Sequence, residues 1–304
     1  MLMKIARLLV RSVVFFLPEH KKIAIDRWLR GREEFHKLQK ADCVIVSYGK
    51  SGRTWLRVML SRFYQLKHGL PENSLIGFDN LHAKNPEIPL IFFTHDNYLK
   101  DFVGNADSKK DYYHKKVVLL VRDPRDMVVS QYFQWKYRMR PWKKRLNRYP
   151  VHGSDISEYQ FAMDQDAGLP KIVDFLNLWA KEADKIDQLL IVRYEDMRGD
   201  TAHVLEQILS FIGTPATPEE TRDVVTFSSM ENMRKMEQKR TFRLSGSRMV
   251  PGDSENPDSY KVRRGKVGGF SDYFDDDQVN AIEQMLQQTL HPVYGYAWHV
   301  AKGD

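Results

Sequence analysis

Short apolar runs, each too brief to make a helix, recur from residue 40 onward between stretches of helical periodicity. Four stand out: Cys43-Val44-Ile45-Val46, Leu90 to Phe93, Val117 to Val121 and Leu189 to Val192. Runs of this composition suit strands buried on both faces, and a parallel sheet with crossover helices is the architecture that buries them. The first run leads through the turn Tyr48-Gly49-Lys50-Ser51-Gly52 into a helix expected over Thr54 to Lys67. After the third, Asp123-Pro124 supplies an N-cap and a first-turn proline for a helix reaching about Arg138. Thr201 to Ile212 has helical periodicity that stops at Gly213. The expected fold class is therefore α/β, a single domain with a central, mostly parallel sheet flanked by helices. Polar residues, Gly and Pro cluster at Asn105 to Lys110, Tyr149 to Asp155 and Ser245 to Ser259, which read as flexible connections.

The chain has 304 residues, 42% hydrophobic and 29% charged, a balance that excludes a disordered polymer and permits one sizeable core. A net charge of +7 favours anionic ligands or surfaces. Cys43 is the single cysteine, so no internal disulfide ties the fold to an oxidising compartment, and the cytoplasm is the default location. The most apolar stretch, Leu8 to Leu17, is interrupted by Arg11 and is too short to span a bilayer. Pro18-Glu19-His20-Lys21 offers no small-residue cleavage site after it. On a helix, Lys4, Arg7 and Arg11 share a face opposite Ile5, Leu9, Val13 and Phe16. Residues 1–39 thus read as a basic amphipathic helical segment before a main domain of residues 40–304. Two fates stay open for it: peripheral contact with the anionic inner face of a membrane, or docking on its own domain.

Three segments carry anion chemistry. The strand, turn and helix from Val44 to Trp55 would present successive backbone N–H groups and a helix N-terminus to an anion, with Lys50 adding a point charge. The common nucleoside triphosphatase loop needs Gly at position 44, where this chain has Val. Arg122 leaves a strand end and Ser130 lies two turns along the next helix, so one rigid junction could aim a guanidinium and a hydroxyl at one phosphate. A structural ion pair between Arg122 and Asp126 is the alternative. The loop Arg263-Arg264-Gly265-Lys266-Val267-Gly268 joins adjacent cations to glycines that let backbone amides approach an anion. His95 follows the second strand, and its unperturbed pKa of about 6.5 suits a general base.

In sequence order these segments resemble the sulfotransferases that use 3′-phosphoadenosine 5′-phosphosulfate (PAPS). YGKSGRTWL at Tyr48 to Leu56 is similar to their 5′-phosphosulfate signature, and VVLLVRDPRDMVVSQYF at Val117 to Phe133 to their 3′-phosphate signature. The Arg263 to Gly268 loop resembles their late RKGxxG motif. The resemblance covers about residues 40 to 290 and implies a P-loop-nucleotide-kinase-like sulfotransferase fold. It implies PAPS bound by Lys50, Ser51, Gly52, Arg53, Thr54, Trp55, Arg122, Ser130, Tyr194, Ser228, Met230, Arg263, Arg264 and Gly265, with no metal. It also implies in-line displacement at sulfur, with His95 taking the acceptor proton and Lys50 stabilising the leaving phosphate. The chain departs from the pattern at Gly49 (usually Pro), Arg53 (Thr), Phe93 (the Lys of Lys-Thr-His) and Met230 (an aromatic).

Seven Lys or Arg residues lie between Lys136 and Arg148, just beyond the second motif. The acceptor, a hydroxyl or amine compound of unknown identity, could therefore be anionic or lipid-linked, and no nucleic-acid partner is assigned. Asp275-Asp276-Asp277 reads as the acidic start of a helix rather than a metal site. Phe274 and Gln278 replace the Lys and Thr of the family's KxxxTVxxxE dimer segment, so the oligomeric state stays open. A nucleotide phosphotransferase and a noncatalytic basic module binding membrane or polyanion are the competing readings.

Overall fold

The computed structural model describes residues 10, 14–243 and 249–298. The cationic face of Lys4, Arg7 and Arg11 and part of the Ser245 to Ser259 connection lie outside the described residues. The first long element, α1 (Glu19–Lys40), precedes β1 (Cys43–Ser47) and α2 (Arg53–His68). β2 (Ile91–Thr94), the short α3 (Leu99–Val103) and β3 (Lys116–Val121) follow, then α4 (Pro124–Tyr137), α5 (Pro141–Leu146) and α6 (Glu158–Ala162). After α7 (Leu169–Glu182) come β4 (Gln188–Arg193), α8 (Tyr194–Gly199) and α9 (Thr201–Ile212). The chain continues through α10 (Pro218–Phe227) and α11 (Met230–Gln238) to α12 (Asp276–Thr289).

The four strands form one parallel sheet in the order β2-β1-β3-β4, with Cys43 opposite Ile91, Val44 opposite Val117 and Lys116 opposite Gln188. Side chains alternate across a strand, and here both sets are buried. Val44, Val46, Val117, Leu119 and Val121 pack with α4 and α7 on one face. Cys43, Ile45, Val118 and Leu120 pack with α2 and α9 on the other. The sheet is thus covered twice, which explains its unbroken aliphatic runs. Helix ends follow the sequence cues: Asp123 accepts from the Arg125 N–H, Gly213 ends α9 in a left-handed conformation, and Asp275 caps α12 through the Gln278 N–H.

α1 docks on the domain. Arg27 pairs with Asp101 at 2.9 Å, Trp28 meets Phe102 edge-on at 5.3 Å, and a Cβ on Gly31 would lie 2.3 Å from the Tyr98 carbonyl. Glycine is therefore what lets the helix approach so closely. At the C-terminal end of the chain, Glu283 of α12 is buried and pairs with Arg125, and Phe274 is buried in the core. Among the described residues, no helix is long and apolar enough to cross a membrane.

Candidate active site

Because all four strands run the same way, Ser47, Thr94, Val121 and Arg193 end at one edge of the sheet. β1 connects outward to β2 on one side, while β3 lies on its other side, so the chain parts above the β1–β3 boundary and leaves a crevice there. A cleft of about 1740 Å³ opens at this edge. It is lined by Lys50, Gly52, Arg53, Thr54, Trp55, His95, Arg122, Ser130, Tyr194, Met230, Arg263, Arg264 and Gly265. Two expected residues turn away. The Ser51 hydroxyl is buried and donates to the Tyr48 carbonyl at 3.2 Å. Ser228 is likewise buried, donating to the Val224 carbonyl, while its own carbonyl accepts the Trp55 indole N–H at 2.8 Å. Ser228 therefore orients the tryptophan.

The loop after β1 is wound tightly. Lys50 has φ 74° and Gly52 has φ 89°, both left-handed. For a residue with a side chain this costs on the order of 1 kcal/mol, a strain characteristic of ligand-gripping turns. At Gly52 a Cβ would lie 2.6 Å from the Tyr194 ring, so glycine is required both by conformation and by space. The Lys50 ammonium makes no hydrogen bond or ion pair among the described residues. Burial, then Arg138 and Arg122, push its pKa down to about 7.

Arg122 ties the motifs together. It donates to the Lys50 carbonyl at 3.3 Å and to the Lys266 carbonyl at 3.0 Å, and lies over the Tyr194 ring at 4.4 Å. Its ion pair with Asp126, at 3.3 Å, is also present. Asp126 in turn accepts from the Gly268 and Phe270 N–H groups, which fixes the late loop against α4. The Arg122 Nε is buried with no hydrogen-bond partner. Arg263 and Arg264 both donate to the Tyr273 hydroxyl, and Arg264 pairs with Asp272 at 2.6 Å. Trp55 and Tyr194 meet edge-on at 5.9 Å, and Met230 packs against Gly265, whose φ of 60° is left-handed.

His95 sits in the turn after β2. Its Nδ1 lies 2.8 Å from the Ser47 carbonyl, which can only accept, so Nδ1 carries the proton and Nε2 the lone pair. Arg53 donates to that Nε2. Burial pushes the imidazole well below its ordinary range, the Arg53 guanidinium adds to this, and the Ser47 carbonyl opposes it. Asp96 holds the turn: its N–H donates to the Thr94 hydroxyl at 2.8 Å, and its carboxylate accepts from Lys109 at 2.6 Å and Tyr112 at 2.8 Å.

The far wall of the cleft comes from α1, through Arg27, Arg30, Glu33, Glu34 and Lys37, and from the stretch after α4. The basic run of Lys136 to Arg148 does not form one patch. Lys144 is buried beneath Trp135, whereas Arg138, paired with Glu237, lines the cleft together with Arg140 and Lys143. Burial raises Glu34 to about 7, with Asp96 adding to the shift. Sequence reasoning missed Lys261, Glu237 and Tyr273 at this site. A further basic residue just before Arg263-Arg264 was the available signal for Lys261.

Among the described residues no group of His, Cys, Asp and Glu is placed to hold a metal ion. Residues 40–293 match the family model described as Sulfotransferase domain. Cytosolic sulfotransferase 17 of Arabidopsis thaliana is 26% identical over 274 residues, covering 84% of this chain and 76% of the relative. The crystal structure of mouse sulfotransferase SULT7A1 complexed with PAP has a similar fold, with a TM-score of 0.55 at 20% identity over 84% of this chain and 89% of that one. Retinol dehydratase in a complex with retinol and PAP gives a TM-score of 0.53 at 18% identity, covering 82% and 81%.

Proposed function

The chain belongs to the sulfotransferase domain family, and on that premise we propose that its cleft transfers the sulfuryl group of PAPS to an anionic hydroxyl or amine acceptor, with His95 as the base. PAPS is the donor. The observation that carries the reading is Arg122, which lines the cleft and bonds the Lys50 loop and the Lys266 loop at once. Arg122, Ser130, Arg263 and Arg264 hold the 3′-phosphate, and Trp55, Tyr194 and Met230 line the adenine end. The N–H groups from Lys50 to Thr54 hold the 5′-phosphate.

The acceptor oxygen or nitrogen attacks sulfur as the bond from sulfur to the bridging phosphate oxygen breaks, and the departing electron pair stays on that phosphate. Lys50 stabilises the charge formed there. His95 Nε2 takes the acceptor proton, which requires Arg53 to release that nitrogen and turn to an anionic oxygen of donor or acceptor. The cleft wall supports an anionic acceptor, since Arg140, Lys143 and Lys171 line it and Lys and Arg outnumber Asp and Glu around the whole cleft.

Adding 3′-phosphoadenosine 5′-phosphate (PAP) without magnesium is expected to raise the melting temperature by several degrees. ATP should do little, and Arg122→Ala should abolish the PAP shift. A magnesium-dependent ATP response with no PAP response would instead favour a phosphotransferase.

We also propose that residues 1–39 are an appended helical segment serving a cytoplasmic 40–304 domain, its cationic face meeting an anionic bilayer. Flotation with anionic and neutral vesicles checks this: the full chain should float with the anionic ones, and a chain lacking residues 1–18 should not. Equal behaviour in all four combinations removes the membrane contact.

A further inference from the structure

The reaction centre contains a second lysine. Lys261 lines the same cleft as Lys50 and His95, and its ammonium makes no hydrogen bond or ion pair among the described residues. Its backbone, by contrast, is fastened. The Lys261 and Val262 N–H groups donate to the two carboxylate oxygens of Glu237, at 2.8 and 2.9 Å, and Glu237 is fully buried in its ion pair with Arg138. A long flexible cation held so firmly at its root, and left unpaired at its tip, is built to meet an anion from outside the protein.

Its neighbours say which anion. Lys50, Arg138 and Arg53 are the cations that act on Lys261, and Glu237 is the carboxylate that opposes them. Lys261 in turn acts on His95. Lys261 therefore lies in the part of the cleft it shares with Lys50, Arg53 and His95, where the transferring group has to pass. On that side Phe93, two residues before His95, is apolar and carries the Arg57 guanidinium over its ring at 3.7 Å, while Arg53 is engaged with His95.

We propose that Lys261 is a catalytic residue that contacts the sulfuryl oxygens of the donor and stabilises them during transfer, dividing the work with Lys50 on the phosphate side. The proposal rests on the PAPS reading of the cleft. Its physical consequence is that the group recognised by Lys261 is present in PAPS and missing from PAP. Burial and three cationic neighbours also drive Lys261 well below the usual ammonium range in the ligand-free cleft, so an arriving anion lets it take up a proton.

Lys261→Met and Lys261→Arg test this by calorimetric titration with PAPS and with PAP, in two buffers of different ionisation enthalpy. The methionine variant should weaken PAPS by about tenfold, the scale of a charge-assisted hydrogen bond, while PAP changes by less than about twofold. It should also take up fewer protons on binding PAPS, and arginine should restore most of the affinity. Equal weakening of both nucleotides would make Lys261 a general phosphate or structural residue, and no change in either would make it a bystander; each result overturns the proposal. Should the native chain bind neither nucleotide, the PAPS reading itself fails, and the proposal falls with it.

Discussion

His95→Ala is expected to lower turnover by a factor on the order of 10² or more while leaving the PAP-induced rise in melting temperature intact. The asymmetry follows from where the imidazole lies. It is bonded to the Ser47 carbonyl and to Arg53, on the side of Lys50 away from Arg122, and it touches none of the groups assigned to the 3′-phosphate or adenine. Turnover of the alanine variant close to native would sink the assignment. The pH profile gives a second check. His95 is held well below its ordinary range by burial and by Arg53, so the neutral, active form is fully present above about pH 6.5 and is lost only as pH falls through that depressed value. Lys50 sits near 7 in the ligand-free cleft, among Arg138, Arg122, Arg263 and Glu237, so its charge is lost as pH rises through that value. The ratio kcat/KM reports the free enzyme and should therefore be bell-shaped, with an acid limb well below pH 6.5 and an alkaline limb beginning near pH 7 that Lys50→Arg moves upward.

The parts of this site that could be read from the sequence are those set by chain-local rules. A run such as Val44-Ile45-Val46 must be buried on both faces, so parallel strands were legible, and residues following the carboxyl ends of parallel strands converge without further information. Lys50, His95 and Arg122 belong to that group. What a side chain does after leaving the backbone was not legible. Ser51 and Ser228 sit within correctly placed segments, yet both hydroxyls are spent on nearby carbonyls inside the core. The basic run after α4 looks uniform as letters, but Lys144 is buried in the fold and Arg138 is held by Glu237, while Arg140 and Lys143 line the cleft without either constraint. Position along a helix decides that, and the decisive partners are remote in sequence. The contribution of α1 was hidden for the same reason: its docking depends on Gly31 meeting the Tyr98 carbonyl and on Arg27 meeting Asp101, neither of which leaves a local signature.

Glu237 is the clearest instance of such a remote determinant, and Glu237→Ala is expected to have the largest effect on stability of any single change near the cleft. One fully buried carboxylate accepts from Arg138 and from the Lys261 and Val262 N–H groups. Removing it leaves the charge of the largely buried Arg138 guanidinium uncompensated, with the Ser259 and Val250 carbonyls still accepting from it, and orphans two backbone donors. Breaking a buried pair in this way costs about 3–5 kcal/mol, a large share of the roughly 5–15 kcal/mol that holds a typical domain together. The loss should appear in urea denaturation as a lower midpoint with an unchanged slope, provided that unfolding stays two-state. Glu237→Gln separates charge from shape. An amide keeps one acceptor oxygen for the Lys261 N–H but loses the second oxygen, which serves Val262, and the charge that balances Arg138. It should therefore fall between native and alanine in stability. Because the same carboxylate roots the strand of chain leading into Arg263 and Arg264, PAP affinity should follow the stability order native, glutamine, alanine when measured well below the midpoint of each. An alanine variant as stable as the native chain would show that the Ser259 and Val250 carbonyls suffice for Arg138, and that Glu237 does not anchor the late loop.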